Sequence, residues 1–203
     1  MKVDNVSFTS RINIVPESFF NRFPYDRSHI DITTSSDIIR KVVNSDIWTD
    51  GIRTCTAGAV VNTKTKEAAG FHFYDCHKNF VKLEEYVAKM LELIPGADRA
   101  LVLGAKDLKG RAYSMMIFRK LEDLLGEKIP KITTFERHKL INSESNILYS
   151  AEKDEWFVNT VFSRSFTWNG DSALTKETLL ENFDRIKLAD GDSLFINNEQ
   201  IIL

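Results

Sequence analysis

The pattern of apolar and polar positions predicts a β-hairpin in the second quarter of the chain. Residues 53–63 are rich in small, β-branched and apolar side chains, and residues 68–74 repeat this character after a short polar run. Two such runs separated by a polar turn are typical of paired strands. A turn centred between residues 64 and 65 lies at nearly equal distances from Cys55 and His72. These two side chains are therefore expected to be approximate cross-strand neighbours.

The periodicity becomes helical after this hairpin. Apolar residues share one helix face across residues 79–94, and a second helix is predicted at residues 112–125, with Gly126 as its stop. Two shorter helices are expected elsewhere. One covers residues 176–183; the other follows the cap candidates at residues 34–37 and buries Ile38, Ile39, Val42 and Val43.

Short apolar runs elsewhere predict further strands. They lie near residues 11–15, 100–103, 129–135, 147–150, 156–162 and 186–188, with a closing hairpin at 193–203. Many strands with two or three helices gathered in the middle predict an α+β fold with an antiparallel or mixed sheet. The 203 residues fit one domain. We divide it into an N-terminal extension at 1–48, a core at 49–135 that holds the candidate site, and C-terminal strands and a helix at 136–203.

Charge and composition exclude several classes of protein. The 27 basic and 29 acidic side chains are well mixed, and no basic stripe predicts binding to nucleic acid. No apolar run approaches the ~20 residues that a membrane-spanning helix needs. Residues 1–13 lack the apolar segment of a secretory signal, so the sequence favours a cytoplasmic protein where it is made. Delivery outside the cell by a route without a signal peptide stays open.

The chemistry that the sequence offers is centred on Cys55, His72 and Thr49. A thiol is a poor nucleophile until it loses its proton, and a nearby imidazole accepts that proton and lowers the pKa of the thiol. The imidazole must be held in one tautomer, and Thr49 is the candidate because a turn through Asp50 and Gly51 can fold it towards His72. This combination predicts a cysteine hydrolase that cleaves amides.

The same hypothesis assigns the remaining roles around the thiol. Attack on a carboxamide creates an oxyanion, for which the backbone N–H groups of Thr54 and Cys55 are the candidate donors. No cofactor is required. A metal site at Asp75, Cys76 and His77 is disfavoured because no second cluster completes it. Cys76 is expected to be a packed thiol, a single disulfide stays open, and His29 and His138 are expected in loops or on the surface.

The arrangement of these residues resembles the chemoreceptor glutamine deamidases of the CheD family. Their signature is a threonine, a Gly-Ser-Cys-type turn, an apolar strand and a Gly-Gly-x-x-His-Phe-type strand. The counterparts here are Thr49, Thr54-Cys55, residues 57–61 and Ala69-Gly70-Phe71-His72-Phe73. The resemblance covers residues 49–75 well, with Arg53, Thr54 and Ala69 as departures from the family pattern.

The resemblance implies a fold and an activity. The CheD family is related in fold to the catalytic domain of the cytotoxic necrotizing factor toxins, which implies a layered α/β/β sandwich. It also implies conversion of a protein glutamine to glutamate with release of ammonia, by a chemotaxis enzyme or by a bacterial effector or toxin. The partner would be a protein that carries the target glutamine. Two alternatives stay open: transglutaminase or cysteine protease chemistry on the same residues, and a non-catalytic binding protein with the same fold.

Overall fold

The computed structural model describes residues 10–16, 19–20, 39–104, 112–137, 143–162 and 175–203. Within these ranges the chain forms twelve strands and four helices. The strands are β1 (Arg11–Ile14), β2 (Ile39–Val43), β3 (Ile47–Ile52), β4 (Thr56–Asn62), β5 (Glu67–Phe73), β6 (Arg99–Gly104), β7 (Lys131–Arg137), β8 (Ser143–Ser150), β9 (Glu155–Phe162), β10 (Phe183–Lys187), β11 (Ser193–Ile196) and β12 (Glu199–Ile201). The helices are α1 (His77–Val81), α2 (Leu83–Leu93), α3 (Ala112–Gly126) and α4 (Lys176–Asn182).

The strands form two six-stranded sheets. The first sheet has the order β12-β11-β1-β9-β8-β3, and the second sheet has the order β10-β7-β6-β4-β5-β2. Both sheets are mixed, because β1 is parallel to β9 and β11 while β6 is parallel to β7. Strands β1 and β2 both precede Thr49, and they belong to the first and the second sheet, respectively.

Alternation along β4 divides the core into two layers. Ala57, Ala59 and Val61 face the first sheet and pack in one apolar cluster with its side chains, including Ile147. Val60 points the other way, into a second cluster built largely from residues of α2 and α3. The small side chains of β4 suit a strand that is covered on both faces. This layering confirms the predicted fold class, α+β with an α/β/β sandwich.

The central hairpin is confirmed, with a definite register. β4 and β5 pair in antiparallel fashion, and the pairs run from Thr56 with Phe73 to Asn62 with Glu67. His72 faces Ala57, two positions inside Cys55. The predicted turn centre was thus right, and Cys55 lies diagonally from His72 instead of directly opposite it.

The predicted helix after residues 34–37 is wrong. Ile39–Val43 forms β2, an edge strand that pairs with β5, and the cap candidates and Ile38 lie outside the described residues. Ile39 and Val42 are buried as expected, whereas Val43 is exposed. β-Branched side chains are stiff in a helix and pack well on a pleated surface, so the available edge of β5 decided the outcome.

The other predicted helices are present with adjusted limits. The helical pattern at residues 79–94 corresponds to two helices, α1 and α2, which meet at Lys82. The helices predicted at residues 112–125 and 176–183 correspond to α3 and α4. None of the helices that the structure describes is long and apolar enough to cross a membrane.

A glycine in the middle of β4 allows three strands to approach one another. A Cβ atom added at Gly58 would overlap the carbonyl oxygen of Leu101 in β6 and lie 2.9 Å from Cζ of Phe71 in β5. The first of these atoms belongs to the backbone of the central sheet and cannot turn away as a side-chain tip can. The position therefore excludes every residue except glycine.

We expect Gly58→Ala to lower the free energy of unfolding by at least about 2 kcal/mol, because overpacking against fixed atoms strains the sheet. Chemical denaturation followed by circular dichroism measures the change. Gly126→Ala is the matched control, since nothing lies within 4 Å of a Cβ atom at that exposed helix end. Equal unfolding midpoints for the two variants would contradict this account of β4.

Candidate functional site

A bulge in β3 determines where Thr49 lies. The pairing of β3 with β8 shifts its register between Thr49 and Ile52, and Gly51 takes a left-handed conformation with φ of +63°. The backbone N–H of Gly51 donates to the side-chain oxygen of Asn146 in β8. Glycine adopts this conformation without the Cβ penalty that other residues carry. The turn expected at Asp50 and Gly51 is therefore a β-bulge at the edge of the first sheet.

Thr49 and His72 meet between the two sheets. The hydroxyl oxygen of Thr49 lies 2.8 Å from Nδ1 of His72, and the residues are 1% and 6% exposed. Thr49 comes from the first sheet and His72 from the second, so this hydrogen bond joins the layers. A hydrogen bond at one ring nitrogen fixes the orientation of the imidazole and constrains its tautomer.

Cys55 lies at the same end of the inter-sheet layer. It precedes β4 by one residue, belongs to the apolar cluster between the sheets, and is 7% exposed. His72 faces Ala57, the residue two positions after Cys55. Diagonal positions of this kind in an antiparallel pair share one face and lie about 7–8 Å apart. The three residues that the sequence singled out thus lie at one end of the sandwich.

The electrostatic surroundings of Cys55 favour the neutral thiol. Burial raises the pKa of the thiol from 9.0 to about 11, and the Asp75 carboxylate adds to the rise. Backbone hydrogen bonds from Asp75 and Arg53 and the charge of Arg137 lower the pKa, but by less. The sequence predicted a thiol with a lowered pKa. That expectation is wrong for this conformation, because loss of solvation outweighs the favourable contacts.

The segment between β3 and β4 also contains the candidate oxyanion donors. Thr54 is half-buried and Arg53 is exposed, so this turn lies where the site meets solvent. Arg137, at the end of β7, donates hydrogen bonds to the carbonyl oxygens of Ile52 and Arg53. Sequence reasoning missed Arg137, which is more than eighty positions away along the chain. Its only signal was a charged residue at the end of an apolar strand.

The remaining candidates have simpler environments. Cys55 and Cys76 are both free thiols, which answers the question of a disulfide, and Cys76 is half-buried. No group of three or more His, Cys, Asp or Glu side chains that could hold a metal ion occurs among the residues that the structure describes. His29 and His138 lie outside those residues.

We expect Cys55 to react slowly with iodoacetamide at neutral pH in the folded protein. Only the thiolate attacks, so the rate should rise about tenfold per pH unit until it levels off near the thiol pKa of about 11. The measurement uses the Cys76→Ser variant, because the chain has 2 cysteines and this change leaves Cys55 as the sole thiol.

The control for this prediction is the same variant in denaturant, where the profile should level off near pH ~8.5, the value of a free cysteine. A folded protein whose rate levels off below pH ~8 would contradict the neutral resting thiol.

Comparison with known proteins does not assign a family to this chain. No protein-family model matches the chain, and no curated protein matches its sequence. The basis for a functional assignment is therefore the geometry around Cys55, His72 and Thr49.

Proposed function

We propose that the protein is a cysteine-dependent glutamine deamidase that acts on another protein. Cys55 is the nucleophile, His72 the general base and then acid, and Thr49 the group that orients His72. The observation that carries the proposal is the buried 2.8 Å contact between the Thr49 hydroxyl and Nδ1 of His72. His72 pairs with Ala57, two positions after the buried Cys55. The α/β/β sandwich, which the resemblance to the deamidases implied, adds support.

The Thr49 contact assigns a role to each nitrogen of the ring. If Nδ1 carries the proton and donates it to the Thr49 oxygen, Nε2 presents the lone pair that accepts a proton from Cys55. The opposite tautomer would place a proton on Nε2 and prevent it from acting as a base. Thr49 can accept this hydrogen bond because a hydroxyl oxygen has two lone pairs.

The reaction passes through a thioester. The sulfur of Cys55 attacks the side-chain carbonyl carbon of glutamine while its proton moves to Nε2 of His72. The C–N bond then breaks as His72 protonates the leaving nitrogen, which departs as ammonia. Water next attacks the thioester carbon as His72 accepts its proton. The C–S bond then breaks as His72 returns that proton to the sulfur, which gives glutamate and the free thiol. No cofactor takes part in these steps.

The raised pKa of Cys55 determines the timing of the first step. At neutral pH the resting thiol keeps its proton, since burial holds its pKa at about 11. Proton transfer to His72 must therefore accompany the attack on the carbonyl, as it does for a serine nucleophile. The N–H groups of Thr54 and Cys55 would stabilise the negative charge on the carbonyl oxygen at that moment.

A second candidate function is supported by the same raised pKa. A thiol that is 7% exposed and strongly disfavoured as an anion is typical of a structural cysteine. On this alternative the chain is a non-catalytic binding protein, and the bond between Thr49 and His72 serves only to satisfy two buried polar groups.

We expect Cys55→Ala and Cys55→Ser to abolish deamidation, because both changes remove the sulfur that forms the thioester. Purified protein is incubated with bacterial and eukaryotic cell extracts, and ammonia release is measured together with glutamine-to-glutamate mass changes in peptides. Cys76→Ser is the matched control and should keep full activity. Mass changes that persist unaltered in Cys55→Ala would refute the deamidase.

The same mass measurement separates the alternatives. Transglutamination would add an amine to the glutamine, and peptide hydrolysis would cut the chain. An unaltered proteome that nevertheless yields a stable complex with the Cys55→Ala variant would favour the binding protein.

We expect Thr49→Val to lower kcat by on the order of 10²-fold with little change in KM, because loss of the hydroxyl frees His72 to adopt the unproductive tautomer. Valine matches the shape of threonine, so packing between the sheets is largely kept. Thr49→Ser restores the hydroxyl and should recover most of the lost activity. A Thr49→Val enzyme with unaltered kcat would rule out the orienting role.

A further inference from the structure

A buried arginine lies beside the turn that leads to Cys55. Arg137 is 1% exposed and ends β7 in the second sheet. Phe135, two residues earlier, belongs to the apolar cluster between the sheets, so alternation places Arg137 on the same face. Because β6 lies between β7 and β4, the Arg137 side chain reaches past the end of β6.

The end of β6 is shaped to allow this approach. Gly104 is the last residue of β6, and a Cβ atom there would lie 2.8 Å from the hydroxyl oxygen of Thr56 and 3.1 Å from the carbonyl oxygen of Cys55. The glycine thus lets the backbone of Cys55 and Thr56 come close to the strand. Arg137 and Cys55 consequently share one end of the inter-sheet layer.

Arg137 binds two successive peptide groups. Its Nη1 atom donates to the carbonyl oxygen of Ile52 and, at 2.8 Å, to that of Arg53. In a trans peptide the C=O and the N–H of one unit point in opposite directions. Fixing these two carbonyls therefore also fixes the N–H groups of Arg53 and Thr54 on the side away from Arg137.

The N–H groups of Arg53 and Thr54 have different roles at the Cys55 site. A backbone hydrogen bond from Arg53 stabilises the anionic form of the Cys55 sulfur. Thr54 supplies one of the candidate oxyanion donors. The charge of Arg137 also favours the thiolate, in opposition to the carboxylate of Asp75. One side chain thus acts on the nucleophile through the field of its charge and through the orientation of the backbone.

We propose that Arg137 is a positioning residue of the Cys55 site, which holds the peptide groups before Cys55 so that their N–H groups serve the sulfur and the developing oxyanion. The oxyanion part of this inference rests on the proposed deamidase function. The effect on the sulfur does not, because it concerns the resting thiol alone.

The test compares alkylation rates of Cys55 in the Cys76→Ser background. Arg137→Met and Arg137→Lys are each treated with iodoacetamide at one alkaline pH below the thiol pKa of about 11. We expect Arg137→Met to slow alkylation about tenfold, as a thiol pKa raised by one unit would do. Arg137→Lys keeps the positive charge but lacks the rigid set of N–H donors of a guanidinium group. Its alkylation rate should therefore fall between those of the parent and the methionine variant.

A purely structural role would act in the opposite direction. Loss of a buried arginine that only holds the fold would loosen the turn, expose Cys55 and accelerate alkylation. Arg99→Met is the matched control, since Arg99 is also a buried arginine (2% exposed) but begins β6 at the far end of the sandwich. That variant should alkylate at least as fast as the parent.

Thermal unfolding of each variant checks that the comparison is made on folded protein. An Arg137→Met rate equal to or above that of the parent would overturn the proposal. If Arg137→Met does not fold, Arg137→Lys decides: slower alkylation than the parent supports the proposal, and an equal or faster rate overturns it. Alkylation needs no substrate, so slower alkylation in a protein that does not deamidate would refute the deamidase and keep the positioning role of Arg137.

Discussion

The exclusion of water from the layer between the two sheets is the constraint on which the rest of the structure depends. Any polar group placed there needs a partner, because an unsatisfied buried donor or acceptor costs about 1–3 kcal/mol. At one end Thr49 meets His72, and Arg137 binds the carbonyl oxygens that precede Cys55. At the opposite end Arg99 lies 3.8 Å from carboxylate oxygens of both Asp154 and Asp192. These polar contacts therefore lie at the two ends of the apolar layer.

The same exclusion of water sets the chemistry of the candidate site. It strengthens the contact between Thr49 and His72 and the influence of Arg137, since charges and dipoles interact more strongly in a medium of low polarity. It also raises the pKa of Cys55, so the thiol is protonated at neutral pH. In the proposed mechanism, burial would protect the neutral thiol from unproductive reactions, and proton transfer to His72 would accompany the attack on the substrate. The proposed mechanism thus depends on both effects of burial: a stronger contact between Thr49 and His72, and a raised pKa of Cys55.

Patterns of apolar and polar residues correctly predicted the elements that depend on neighbouring residues in the chain. The β4–β5 hairpin followed from two apolar runs around a polar turn, and its register placed His72 within one diagonal of Cys55. Helix α3 followed from its periodicity and its terminal Gly126. The segment Ile39–Val43 was predicted wrongly because its short β-branched pattern suits both a helix face and an edge strand. Only the available edge of β5 distinguished these outcomes.

The sequence by itself determined the β4–β5 hairpin, helix α3, the α+β class and the nearness of Cys55 to His72 across that hairpin, because hairpins and helices depend on residues that are near one another along the chain. Tertiary structure alone decided that β3 belongs to the opposite sheet, which makes the contact between Thr49 and His72 a link between layers. It also decided that Cys55 is desolvated and that Arg137 holds the turn before it. These properties depend on which distant segments share the inter-sheet layer, and burial there, not spacing along the chain, sets the pKa of the thiol.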